Sequence, residues 1–217
     1  MFISHKYRLI FIHIQKTGGN SISKLFHELD PELIQELPLA NTTKRLKHCF
    51  ISDIDAILSP ELFAEYTKFS IVRNPYERLF SWYSMFKYQK TDFGIAAGAM
   101  PNADILGDKV MVEAEAYLDS FESFLTMPNQ GLLERFYYNQ LDYLLINDVV
   151  AVDKVLRFET LSHDFNELAE QLKLSATLPH VNKSRVKQDY REVYSEKSKN
   201  IVAQRFQRDV DYFSYSF

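Results

Sequence analysis

The sequence predicts an α/β fold with a central parallel sheet flanked by helices, and three observations carry that prediction. Leu9–Ile14 is a nearly unbroken apolar run containing β-branched residues, the pattern of a strand covered on both faces. Directly after it, Ile22, Leu25, Phe26 and Leu29 recur at i, i+3, i+4 and i+7, which marks an amphipathic helix. The same succession returns at Lys68–Tyr83, and strands alternating with helices imply right-handed crossovers and parallel pairing.

Bulk properties narrow the possible functions. A chain of 217 residues, 46% apolar and 14% aromatic, buries a sizeable core and is expected to form one domain, residues 1–217. A net charge of −4 argues against a general nucleic-acid binder. Basic clusters at Lys44–His48 and Lys183–Lys187 read first as solvated faces. The single cysteine, Cys49, excludes an internal disulfide and a thiolate metal cluster, which fits a reducing compartment. No signal-peptide plan opens the chain and no apolar run approaches membrane-span length, so the expected setting is cytoplasmic, with no membrane span.

Taken in order, the first helix stops at Asp30-Pro31, and Pro38–Thr43 reads as a loop. Ser52 or Asp53 is expected to cap a short turn through Ile54, Ile57 and Leu58, and Ser59-Pro60 opens another helix. The strand Lys68–Val72 leads into Asn74, Pro75 and Glu77, an N-cap, a first-turn proline and a capping-box acid. From Lys87 to Pro128 the pattern weakens around Gly94, Gly98, Pro101 and Gly107, and 87–128 is expected to be a lid or substrate-side insertion. Within it, Val110–Phe121 regains helical spacing, and Gly131–Ile146 is also read as helical. A third strand is expected at Val152–Phe158, then a helix with Leu161, Phe165, Leu168 and Leu172 on one face, and a last helix from Ser195 followed by an aromatic tail.

The chemistry concentrates in the loop Gln15-Lys16-Thr17-Gly18-Gly19-Asn20-Ser21. A glycine-bearing loop between strand and helix aims backbone N–H groups and a helix N-terminus at one point, which suits a phosphate. Lys16 adds charge, and the Thr17 and Ser21 hydroxyls add donors. Lys16 precedes the glycines, the reverse of an ATPase loop. Arg73, at the end of the second strand, offers a planar fork for another phosphate, with Ser81 two helical turns further on. The competing readings are a plain turn and a surface arginine. Ligands of such sheets bind beyond the carboxyl ends of the strands, where both junctions fall.

Phe11–Ser21 resembles the 5′-phosphosulfate loop of sulfotransferases that use 3′-phosphoadenosine 5′-phosphosulfate (PAPS), especially the carbohydrate group that includes the heparan 2-O-sulfotransferases. Phe69–Ser81 resembles that family's 3′-phosphate motif, and Arg157–Leu161 and Pro179–Ser184 also look like family segments. The departures are Gln15, where proline is usual, and Asn20, where threonine is common; Asn20 can still cap the helix. The resemblance implies a P-loop-type three-layer fold and transfer of a sulfuryl group from PAPS to an acceptor hydroxyl, such as that of a carbohydrate. It implies nucleotide contacts from Gln15 to Ser21 and from Arg73, Ser81 and Ser184, with Lys16 stabilising the leaving group. His48 is the candidate general base and His180 the alternate, a structural role being the competing reading; His13 reads as a core histidine. No metal-ligand spacing occurs in the chain. The other function classes are a non-catalytic nucleotide binder and an atypical nucleoside-phosphate kinase, against which the order of Lys16 and the glycines counts.

Overall fold

The computed structural model describes residues 1–35, 48–96, 105–178 and 188–217, with the side chains of 88–96 and 105–109 excepted. In chain order its elements are β1 (Phe2–Ser4), β2 (Leu9–Ile12), α1 (Gly19–Leu29), α2 (Ile51–Asp55), α3 (Pro60–Glu65), β3 (Thr67–Val72), α4 (Pro75–Ala96), α5 (Ile105–Ala114), α6 (Phe121–Leu125), β4 (Leu145–Ile146), β5 (Val149–Val150), β6 (Lys154–Arg157), α7 (Leu161–Gln171), α8 (Glu196–Arg205) and α9 (Gln207–Phe213). They gather into two compact units, Met1–Arg73 with Gln140–Ser184, and Asn74–Asn139 with Arg185–Phe217.

The first unit holds the expected sheet, in the order β1-β2-β3-β6. β2 pairs with β3 and β3 with β6 in parallel, placing Ile12 opposite Ser70 and Val72 opposite Arg157. The fold is thus α/β with a mostly parallel central sheet flanked by helices. One strand departs from the expectation: β1 pairs antiparallel with β2, from Phe2↔Phe11 to Ser4↔Leu9, through a turn in which Arg8 has φ 51°. Three residues carry too little alternation to announce a strand. All four residues of β2 are buried, as its continuous apolar run requires. Ser70, a polar residue inside β3, is satisfied by donating its hydroxyl to the Ile12 carbonyl at 2.8 Å.

Ile22, Leu25 and Phe26 of α1 and Phe165 and Leu168 of α7 share one core with Phe2, Phe11 and Phe69 of the sheet. The rings interlock, with Phe2–Phe26 centroids 4.8 Å apart and Phe11–Phe69 centroids 4.9 Å apart. Phe69 is fully buried and touches rings from three elements. Phe69→Ala is expected to cost about 3–5 kcal/mol, read as a lowered urea midpoint at unchanged slope.

The second unit forms around α4. Phe80, Trp82, Tyr83 and Phe86 pack with Phe121, Phe124 and Phe136 and with Val202 and Phe206 of α8. The aromatic tail packs back as expected: Phe217 meets Tyr76, Tyr190 and Tyr194 edge-on at 5.2–5.7 Å. Asn74 caps α4 as read, its Oδ1 accepting from the Tyr76 N–H at 3.1 Å, and its Nδ2 donates to the Ser216 carbonyl at 2.7 Å.

Several boundaries differ from expectation for local reasons. α4 continues to Ala96, so the segment read as irregular begins as helix; one interior glycine, Gly94, costs only about 1 kcal/mol. α5 and α6 occupy more of 87–128. Gly131–Phe136 and Leu141–Leu144 are 3₁₀ turns rather than one helix. Between them Asn139 and Gln140 turn their carboxamides onto distant backbone groups, Asn139 to the Arg205 carbonyl and Gln140 to Arg73, which competes with helix propagation. In α2 the N-cap is Phe50 rather than Ser52 or Asp53; Asp53 reaches back to accept from the Phe50 N–H at 2.7 Å. After Arg205 the chain restarts as α9.

Candidate active site

The candidate site of the first unit lies where three adjacent parallel strands end. β2 runs into the loop Ile14–Gly18, β3 into Arg73, and β6 into Phe158.

The loop is shaped by its own backbone. Lys16 has φ 68°, a left-handed conformation that a non-glycine residue adopts only under local constraint. Gly18 follows at φ 86° and serves as N-cap of α1 without a side-chain hydrogen bond. Asn20 is therefore not the cap: it is the second residue of α1 and is exposed. Both glycines are obligatory. A Cβ on Gly18 would lie 2.9 Å from the Phe158 ring, and one on Gly19 would lie 2.3 Å from His13 Cδ2. Thr17 is fully buried and its hydroxyl donates to the Ile14 carbonyl at 2.8 Å, which closes the turn. That donor is engaged inside the loop, so the side chain expected to contact an anion acts on the loop's shape. Ser21 and Gln15 are buried beside it.

Arg73 is held from several sides. Its Nη1 donates to the Lys16 carbonyl at 3.1 Å, and its guanidinium carbon lies 4.0 Å from the centroid of the Phe158 ring. Its backbone N–H donates to Gln140 Oε1, and its carbonyl accepts from Gln140 Nε2, both at 2.8 Å. Two cations are thus brought close in a desolvated corner. Burial first, and then the Arg73 charge, pull the Lys16 ammonium from its ordinary 10.5 down to about 8. An anion of two or more charges bound here would relieve both penalties. The donor set, two cations beside a glycine turn and a helix N-terminus, fits a phosphate or sulfate ester.

His48 is buried, and its Nδ1 lies 2.7 Å from the His13 carbonyl. A carbonyl only accepts, so Nδ1 carries the proton and Nε2 the lone pair of the neutral ring. The His13 ring, read as a core histidine, packs between Phe11 and His48 at centroid distances of 5.4 and 4.5 Å, directly beneath Gly19. The candidate base and the anion loop therefore share a support.

The first unit brings together Gln15, Lys16, Thr17, Gly18, Gly19, Asn20, Ser21 and Arg73, with His48 joined to the loop through His13. Ser81 is half-buried on α4 in the second unit. His180, Ser184 and the basic residues Lys44, Arg45 and Lys47 lie outside the described residues. The sequence reading missed the parts played by Gln140 and Phe158. The available signal for Gln140 was a pair of carboxamides, Asn139-Gln140, in an aromatic run that otherwise reads as packing. Among the described residues no cluster of His, Cys, Asp or Glu could hold a metal ion, and no helix is long and apolar enough to cross a membrane.

Fold and loop together define an α/β protein whose parallel strands end, at their carboxyl side, in a glycine loop flanked by Lys16 and Arg73, a setting suited to an anion. The chain matches the model of the sulfotransferase family over residues 1–216 and belongs to that family. No curated protein and no solved structure matches it. As a member it is a sulfotransferase, moving a sulfuryl group to a hydroxyl-bearing acceptor.

Proposed function

We propose that this sulfotransferase takes its sulfuryl group from PAPS and delivers it to a hydroxyl of a carbohydrate-type acceptor, in the manner of the heparan 2-O group. The observation that carries the donor assignment is the convergence of Lys16 and Arg73 at the ends of β2 and β3, close enough to depress the Lys16 pKa. One cation serves each end of a nucleotide that bears phosphate at both the 5′ and 3′ positions. Gln15 to Ser21 wrap the 5′ end; Arg73, with Ser81 and Ser184 as the further contacts implied by the resemblance, takes the 3′-phosphate.

In the reaction, the acceptor oxygen forms a bond to sulfur as the bond from sulfur to the bridging phosphate oxygen breaks. His48 Nε2 receives the acceptor's proton, and Lys16 neutralises the charge that develops on the departing phosphate. The rate gain then comes mainly from positioning and preorganised charge. Acceptor choice is assigned to 87–128, the segment proposed as a substrate-side lid, and the setting is proposed to be cytoplasmic.

The test is incubation with labelled PAPS and a panel of saccharide and other hydroxyl acceptors, following release of 3′-phosphoadenosine 5′-phosphate (PAP). The expected result is turnover unaffected by EDTA, because Lys16 and Arg73 supply the positive charge. Turnover abolished by EDTA would overturn the mechanism. PAP binding without transfer to any acceptor would point instead to a nucleotide-binding protein.

A further inference from the structure

We propose that Gln140 is a positioning residue for Arg73, and that recognition of the nucleotide's 3′-phosphate depends on it. The proposal rests on the donor reading above and adds to it a residue that never touches the ligand. β3 ends at Val72, whose ladder partner is Arg157. The N–H and carbonyl of Arg73 therefore fall just beyond the sheet's hydrogen-bond ladder, in a half-buried setting where each is best served by a protein partner. One side chain serves both. Gln140 is fully buried, its Oε1 accepts from the Arg73 N–H and its Nε2 donates to the Arg73 carbonyl, each at 2.8 Å. The orientation of the carboxamide follows from the chemistry of its partners, since an N–H requires an acceptor and a carbonyl a donor.

This reciprocal pair substitutes for a rung of the sheet. It fixes both backbone groups of Arg73 and so sets the point from which the guanidinium departs. From that point the guanidinium reaches the face of Phe158 and the Lys16 carbonyl together. A bidentate fork is directional, so a small rotation of its root costs more for a planar guanidinium than for a point charge. Few replacements reproduce the pair. Glutamate has the same shape but, when ionised, sets an acceptor against the Arg73 carbonyl; asparagine is one methylene short; methionine fills the volume and offers neither bond.

The experiment measures PAP and adenosine 5′-phosphate binding by calorimetry for wild type, Gln140→Met, Gln140→Glu, Arg73→Ala and the double variant Arg73→Ala/Gln140→Met. The ratio of the two affinities isolates the 3′-phosphate. In wild type that ratio is expected to be large, and Arg73→Ala is expected to lower it by about 10–100-fold. Gln140→Met and Gln140→Glu are expected to lower it by about tenfold while leaving adenosine 5′-phosphate affinity unchanged, and Gln140→Met is expected to add nothing once Arg73 is absent. A residue with only a packing role would depress the melting temperature and leave the ratio alone; that outcome in either single variant overturns the proposal. So does a further loss of the ratio in the double variant. Should Gln140→Met fail to fold, Gln140→Glu, which preserves volume and shape, carries the same comparison. A wild-type protein that fails to distinguish the two nucleotides overturns the donor reading itself, a result separable from loss of the Gln140 effect alone.

Discussion

Lys16→Met is expected to lower sulfuryl transfer by about 10²–10³-fold and, at the same time, to make the ligand-free protein more stable at neutral pH. The two effects have one cause. Burial and the neighbouring Arg73 charge hold the Lys16 ammonium near a pKa of about 8 instead of 10.5. The folded state thus binds the Lys16 proton less tightly than the unfolded state. Its penalty is fully present below about pH 8 and disappears as pH rises past the unfolded value. The difference corresponds to roughly 3 kcal/mol at most, so Lys16→Met should raise the melting temperature at pH 7 and lose that advantage above about pH 10. Thermal melts of both proteins across pH 6–10.5, beside initial-rate measurements, check the claim. Equal melting curves at pH 7 would show that the charge is not strained in the folded state. The bound nucleotide is expected to restore the Lys16 proton, so PAP binding near pH 8.5 should take up protons, read as a dependence of calorimetric enthalpy on the buffer's ionisation heat.

His48→Ala is expected to lower transfer by about 10²–10⁴-fold, while PAP affinity is expected to stay near that of wild type. The expectation follows from the His13 carbonyl, which holds the proton on Nδ1 and leaves the lone pair on Nε2. On the proposed mechanism, removing the ring would remove the acceptor for the hydroxyl proton and neither of the cations proposed to hold the nucleotide. Rates and PAP titrations for His48→Ala and His180→Ala separate the two histidines. Full activity in His48→Ala would assign the base elsewhere.

These expectations draw on features of different legibility. β2 and α1 were readable because each satisfies a local periodic rule: a strand buried on both faces reads as a continuous apolar run, and a helix covering a core repeats at i+3 and i+4. The anion loop was readable because Gly18 and Gly19 sit where only glycine avoids Phe158 and His13, although the identity of those neighbours was not. Much of the remaining site depends on bonds between a side chain and a remote backbone group. Gln140 serves a residue 67 positions away, and His48 a carbonyl 35 positions away. A backbone partner is chemically the same in every residue, so it leaves no mark on the residue type that presents it. The Asn20 cap failed for a related reason. Gly18, left-handed at φ 86°, takes the N-cap position two residues earlier, which places Asn20 inside α1.

Phe158 lies against both halves of this arrangement: one edge of its ring closes on Gly18 and its face receives Arg73. In the proposed donor complex that single ring would stand as a common wall for the two ends of the nucleotide. The two half-sites proposed for the donor would therefore rest on one and the same side chain.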